Sequence, residues 1–300
     1  MARVGIVSVH YYESHLRRSL ASVYGLARRA GAHALIAVAN NPVLMPELLR
    51  QTSRFELPHV SCHLHDNRGL EFGAFQAGLE KMLAFDPDWV IFANDTYAIH
   101  QSFSSVFRKH LLAAVAMPSD GHGAEAAGQV ESIGRSYSIR GMRSHRWLTT
   151  SIFALNRPAL RSLGDRVYFP EIDRLVTATT DVESFFAPEL DPAIAAHISA
   201  WLFGPSPEHS WYGAEALNDR NAERMANKAR SILQEKYLSA VLDNAGTWFF
   251  DIKGSGIRDR AVKRLDAMLF AVRASLTPAR RPVESGGASA AARKDIGAPV

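Results

Sequence analysis

Two stretches of this chain carry residue types suited to phosphates and sugars. His65–Leu79 reads HDNRGLEFGAFQAGL, a polar turn with a glycine that runs into a helix with a small-residue face. Trp89–Ile99 reads WVIFANDTYAI, a short apolar strand that stops abruptly at Asn94, Asp95 and Thr96. A strand that delivers a carboxylate at its C-terminal edge, beside a loop–helix junction, suits a nucleotide sugar. The carboxylate can hold a hard divalent cation on the diphosphate oxygens. Asp95 is placed for this, and Asn94 and Thr96 would orient it or reach ribose or metal-bound water. The competing reading is that Asp95 only caps the next turn, as Asp often does. In the first stretch, Gly69 permits a positive φ or a close backbone approach. Arg68 can pair with a phosphate or with the sugar, and the following helix turns its positive dipole end to the same place. A plain loop before a tightly packed helix, with Gly73, Ala74, Ala77 and Gly78 as the packing face, accounts for the same residues.

The elements that must position these stretches alternate. Val4–Val9 reads as a buried strand, and Ser14 as the cap of a helix with Leu16, Leu20, Val23 and Ala27 at helical spacing. Ala34–Ala39, Val60–Leu64 and Trp89–Ala93 read as further strands, with a helix over Phe72–Leu83. Phe103–Leu112 reads as a helix and Ala113–Met117 as a fifth strand. This order predicts an α/β fold with a mostly parallel central sheet and helices on both faces. Such sheets bind ligands outside the carboxyl ends of their strands. The polar clusters fall there: His10, Tyr11, Tyr12 and Glu13; Asn40 and Asn41; His65, Asp66, Asn67 and Arg68; Asn94, Asp95 and Thr96.

Further along, Asp120–Gly128 reads as a Gly/Ala-rich loop, Val130–Arg140 as holding a short strand, and Ser151–Leu155 as a better one. Asn156–Leu163, Ala193–Phe203 and Ala222–Leu242 read as helices. Ile257–Ser275 is a basic amphipathic helix, and the Pro/Gly/Ala/Ser-rich chain from Thr277 is expected to be disordered. The division is then 1–118 as a nucleotide-sugar-binding half, 119–256 as an acceptor-side half, 257–276 as the helix and 277–300 as the tail.

Charge is nearly balanced, 34 basic against 30 acidic residues, and no recognition motif accompanies the dispersed cations, which argues against nucleic acid. The lone Cys62 excludes an internal disulfide and a Cys-based zinc site, and fits a reducing, cytoplasmic setting. It reads as a core thiol. The N-terminal segment reads as a first strand and not a signal peptide, and no run is long and apolar enough to span a bilayer.

The succession IVSV, VANN, DNRGLEFGAFQAGL and WVIFANDT resembles family 2-type glycosyltransferases of the GT-A fold. The nearest resemblance is to bacterial surface-polysaccharide enzymes of the rhamnan-synthesis and rhamnosyltransferase kind. It covers Val4–Ile99, continues weakly through Ser144–Leu163, and is not traceable beyond Phe169. It implies that His10 to Glu13 lie near base and ribose, and that Asp66, Arg68 and Gly69 contact the nucleotide or donor sugar. It also implies that Asp95 stands at the metal-binding acidic motif, holding Mg2+ or Mn2+. The chain departs from the pattern at Asn40 and Asn41, where an acid is usual, and at Asn94, where many relatives have a second acid.

An inverting transfer needs an acid or His on the acceptor side. Asp181 and Glu183 lead, before Phe185 and Phe186; Glu171 is next, with Asp173 and His145 also open. Each has a helix cap or solvated charge as its competing reading. His209 could complete a metal shell, against the commoner structural His. Trp147, Trp201, Trp211 and Tyr212 are sugar-stacking or core aromatics. The basic helix either packs its apolar stripe on the domain or rests on an anionic membrane surface. The leading expectation is an inverting glycosyltransferase moving a sugar from a nucleotide diphosphate donor (dTDP-rhamnose first, or a UDP-sugar) to a polysaccharide or lipid-linked glycan. It would be cytoplasmic or peripheral on the inner face of the cell membrane. The alternatives are a non-catalytic nucleotide-sugar or glycan-binding subunit and, less favoured for want of a Gly-rich loop after the first strand, a nucleotidyltransferase.

Overall fold

The computed structural model describes residues 2–97, 99, 103–117, 123–204, 213–254 and 256–276, with side chains of the last helix through Leu269. The strands are β1 (Val4–His10), β2 (Ala34–Ala39), β3 (His59–Leu64), β4 (Trp89–Asn94), β5 (Glu125–Glu131), β6 (Tyr137–Ile139), β7 (Met142–Ser144), β8 (Trp147–Asn156) and β9 (Trp248–Asp251). The helices are α1 (Glu13–Ala30), α2 (Met45–Thr52), α3 (Leu70–Met82), α4 (Ser105–Val115), α5 (Arg157–Ser162), α6 (Pro170–Asp173), α7 (Pro192–Phe203), α8 (Ala222–Asn244) and α9 (Ile257–Leu276). Seven strands form one sheet in the order β3-β2-β1-β4-β8-β5-β9, and β6 and β7 make a separate hairpin. The pairs β3–β2, β2–β1, β1–β4 and β5–β9 are parallel, and β8 alone runs against its neighbours.

The β-branched run of β1 is buried along its whole length, as expected of a strand covered on both faces. Val7 and Val9 point to a core shared with α3 and α8, while Val4 and Ile6 point to one shared with α1 and α4. The first core centres on aromatics. Phe92 and Phe153 stack at 4.8 Å, and Phe75 of α3 meets both edge-on at 5.5 and 5.8 Å. Gly78 lets α3 settle on the sheet, since a Cβ there would overlap Val7. This seat fixes where the N-terminus of α3 emerges.

Several expectations need correction. Ala113–Val115 is the last turn of α4, not a strand, because the preceding apolar positions continue at helical spacing across Leu111, Ala114 and Val115. The next strand is β5, so Glu125–Gly128 is not loop. Its small residues fit between strands: Gly128 lies against Leu148 and Phe153, where a side chain would crowd. Ser14 does not cap α1; Tyr12 occupies that position without a side-chain bond. The tail from Thr277 lies outside the described residues.

His10 ends β1 fully buried, with Nδ1 and Nε2 each 3.1 Å from a hydroxyl, those of Ser19 and Ser8. Burial lowers its pKa from 6.5 to about 3. Above pH 6.5 both folded and unfolded chains are neutral here, and His10 adds no pH dependence. As pH falls from 6.5 towards 3, the unfolded chain takes up a proton that the folded chain excludes, so stability is lost. The slope approaches about 1.4 kcal/mol per pH unit. His10→Gln should therefore flatten the fall in denaturation free energy between about pH 6 and about pH 4 by this amount. An unchanged slope would contradict the buried neutral state.

Candidate active site

Beyond the C-terminal ends of β1, β2 and β3 two clefts adjoin at Asn67. The first, about 570 Å³, is lined by Tyr11, Asn40, Asn41, His65 and Asp66 as well as Asn67. The second, about 510 Å³, runs from Arg68 and Gly69 past Asp173 and Arg174 to Asn227, Arg230 and Gln234.

Asp95 anchors the junction between strands. Val9 of β1 pairs with Asn94 of β4, so the chain beyond each strand end meets the other. Asp95 is 4% exposed, and its Oδ2 accepts the N–H groups of Tyr11 at 2.8 Å and Tyr12 at 2.7 Å. Asn94 Oδ1 accepts the N–H and hydroxyl of Thr96, at 3.1 and 2.5 Å, closing a turn. The two backbone donors just ahead of α1 are thus satisfied by a carboxylate distant in sequence. Among the described residues no group of three or more His, Cys, Asp or Glu gathers to hold a metal.

Asn40, 3% exposed, ties the end of β2 to the loop after β3. Its Nδ2 donates to Asn67 Oδ1 at 2.6 Å, and its Oδ1 lies 2.8 Å from His65 Nδ1. Burial lowers the His65 pKa, with the Asp66 charge opposing. Asn41 Nδ2 reaches the Tyr11 carbonyl at 3.3 Å. The loop is a run of left-handed backbone at Asn67 (φ 64°), Gly69 (71°) and Leu70 (54°), and Asp66 Oδ1 accepts the Arg68 N–H at 3.0 Å. A Cβ on Gly73 would overlap the Arg68 carbonyl, and one on Gly69 would overlap the Tyr168 ring. The glycines let helix, loop and Tyr168 close on one another.

In the second cleft Tyr168 donates its hydroxyl to Asp173 Oδ2 at 2.5 Å, and Gln234 Nε2 donates to Asp173 Oδ1 at 2.9 Å. Burial raises the Tyr168 pKa, and the Asp173 carboxylate raises it further, so the phenol stays a donor. Arg230 is aimed by Asn227 Oδ1 at 2.8 Å and the Val176 carbonyl at 3.2 Å. Ser231 donates to Glu71, joining α8 to the first turn of α3.

Of the residues singled out in sequence, Tyr11, Asn40, Asn41, Asp66, Asn67, Arg68 and Gly69 come together here. His10 is in the core, and Tyr12 and Glu13 are exposed at the start of α1. Glu171 pairs with Arg166 at 3.4 Å and lines neither cleft. Asp181 and Glu183 are exposed, Asp181 accepting from the Glu183 N–H and the Ser184 hydroxyl at 3.0 and 2.8 Å within its own turn. Phe185 behind them is fully buried in the core. His145 is exposed, while Trp147 is buried under the Lys236 ammonium, 3.0 Å from the ring centre. His209, Trp211 and Tyr212 lie outside the described residues. Sequence reasoning missed Tyr168, Arg174, Asn227, Arg230, Ser231 and Gln234. The signal available was on α8: Asn227, Arg230, Ser231 and Gln234 make a polar stripe at helical spacing along a largely buried helix.

No family model matches this chain, and no curated protein does. Among the solved structures that match is the mannosyltransferase PcManGT from Pyrobaculum calidifontis in complex with GDP-Man and Mn2+. It is 12% identical, at a TM-score of 0.39, over 91% of this chain and 83% of that one.

Removing the Asp95 carboxylate leaves the Tyr11 and Tyr12 N–H groups without that acceptor. Asp95→Ala should cost about 2–4 kcal/mol, and Asp95→Asn distinctly less, since an amide oxygen can accept both. Denaturant melts of the two variants check this; equal losses would contradict the capping role.

Proposed function

We propose that this protein is a GT-A-type glycosyltransferase that moves a sugar from a nucleoside diphosphate donor to a glycan hydroxyl, with inversion. The observation that carries the reading is the division of labour across Asn67. The first cleft offers an aromatic ring and neutral amides, which suit a base and ribose. The second brings Arg68, Arg174 and Arg230 around one carboxylate, Asp173, which suits a diphosphate and the sugar beyond it.

In this reading Asp173 is the base. It takes the proton of the acceptor hydroxyl as that oxygen bonds to the anomeric carbon. The bond from that carbon to the leaving phosphate oxygen breaks, and the nucleoside diphosphate departs with the electron pair. Tyr168 and Gln234 hold Asp173 with one donor on each oxygen. The arginines meet the charge that grows on the leaving group, where fixed cations lower the barrier most. Mg2+ or Mn2+, if bound, would supply further positive charge toward the leaving diphosphate; Asp95 is the carboxylate that would hold it, and it is 4% exposed, lines neither cleft and spends Oδ2 on two backbone N–H groups. Among the described residues no group of three or more His, Cys, Asp or Glu stands ready to complete its shell. A dTDP- or UDP-linked sugar as donor, and a polysaccharide or lipid-linked glycan as acceptor, are the substrates to try first.

A binding subunit without turnover is the second reading. It is favoured by the engagement of Asp95 Oδ2 with two backbone amides, a structural duty. Transfer assays with a panel of labelled donors separate the two. Asp173→Asn should lower kcat by about 100-fold or more with donor affinity nearly unchanged. Arg230→Met should weaken donor binding and slow transfer together. Donor binding without product in the wild type would favour the subunit, and full activity in Asp173→Asn would remove Asp173 as base.

A further inference from the structure

α9 is attached to the body by its polar side. Asp266 Oδ2 accepts the Ser105 N–H at 2.7 Å and its hydroxyl at 2.9 Å. Asp259 lies 3.3 Å from His110 Nε2, and Lys263 Nζ donates to the carbonyls of Lys253 and Gly254 at 2.9 and 3.1 Å. Positions 259, 263 and 266 share one helix face, and they are the half-buried residues of the described part of α9. The opposite face is apolar and in water. Ile257 is 79% exposed, Leu265 56%, Met268 68% and Leu269 48%. Arg258, Arg260 and Arg264 lie within or beside this stripe, all exposed.

We propose that this outward face of α9 binds the surface of an anionic lipid bilayer. An amphipathic helix buries its apolar side unless something else covers it. The charge pattern selects the cover. Both acids of α9, Asp259 and Asp266, are turned inward, so the outward face presents arginines and no carboxylate. That is complementary to acidic headgroups over an apolar layer, with the arginine stems lying along the boundary. A second copy of the same face would set arginine against arginine. Segment 277–300 carries its own excess of cations and few large apolar residues, and offers little to fill the stripe.

The position of α9 on the body is set by α4. Trp89 Nε1 donates to the Met117 carbonyl at 2.9 Å, so α4 ends beside the start of β4. α9 runs antiparallel to α4, with Asp266 at Ser105 and Asp259 at His110. No described helix is long and apolar enough to cross a membrane, so contact is at the surface.

The test is co-sedimentation of the full chain with vesicles of phosphatidylcholine alone or with phosphatidylglycerol added. Binding should be at least about tenfold stronger on the anionic vesicles. It should be lost in Leu265→Glu/Met268→Glu and in Arg258→Glu/Arg260→Glu/Arg264→Glu, with melting temperatures and nucleotide binding kept. Absence of binding, or binding indifferent to both variants, overturns the proposal. So does a dimer in light scattering that Leu265→Glu/Met268→Glu dissolves, which would assign the stripe to a second copy. Sedimentation needs neither donor nor acceptor, so this result stands or falls apart from the transferase reading.

Discussion

Two backbone N–H groups beyond β1, both answered by one carboxylate oxygen at the end of β4, set the edge on which the rest of the site is built. Parallel strands leave their C-terminal ends side by side, and the chain leaving them carries polar backbone into a half-buried region. Asp95 answers that need with charge-assisted bonds to Tyr11 and Tyr12, and so fixes where α1 begins and where the Tyr11 ring stands. Asn40 repeats the device one strand over, joining the end of β2 to His65 and Asn67. The clefts are therefore framed by long-range polar ties and not by loop flexibility.

The second cleft depends on helix packing. α3 is held on the sheet by the Phe75, Phe92 and Phe153 cluster, and α8 is tied to it through Ser231 and Glu71. Between them Gln234, 1% exposed, bonds both to the Phe169 backbone and to Asp173. A buried amide with its partners satisfied rigidifies what it touches, and here it orients the carboxylate proposed as base. On the same helix Lys236 is buried and the adjacent Glu235 half-buried. Thr150 donates twice to Glu235, and burial lowers the Lys236 pKa to about 8.

Much of the first half was legible because its signals are local. β2 runs from Ala34 to Ala39 as its apolar run predicts, and the strand ends fall where Asn40 and Asp95 interrupt hydrophobic sequence. The left-handed turn at Gly69 follows from the same reading. The rest depends on contacts between distant segments. Asp173 and Arg230 are 57 positions apart and meet only because α6 packs on α8. Asp181 and Glu183 ranked ahead of Asp173 in sequence, since acid type and nearby aromatics do not reveal that Phe185 turns inward. β5 was hidden because small residues in a tightly paired strand resemble a loop in composition. Which way the apolar stripe of α9 turns was left open between the domain and a membrane surface. Periodicity shows that a helix has two faces, but not which one the body takes.

The most direct test of the account is the melting temperature of the full chain with nucleoside, monophosphate and diphosphate forms of uridine, thymidine and guanosine. Each is measured with and without Mn2+, for wild type and Arg230→Met. A ligand that binds only the folded state must raise it by linkage. The account predicts a clear rise with one diphosphate, a much smaller one with its nucleoside, and loss of the difference in Arg230→Met. No rise with any nucleotide, or equal rises for nucleoside and diphosphate, would contradict a donor site divided at Asn67.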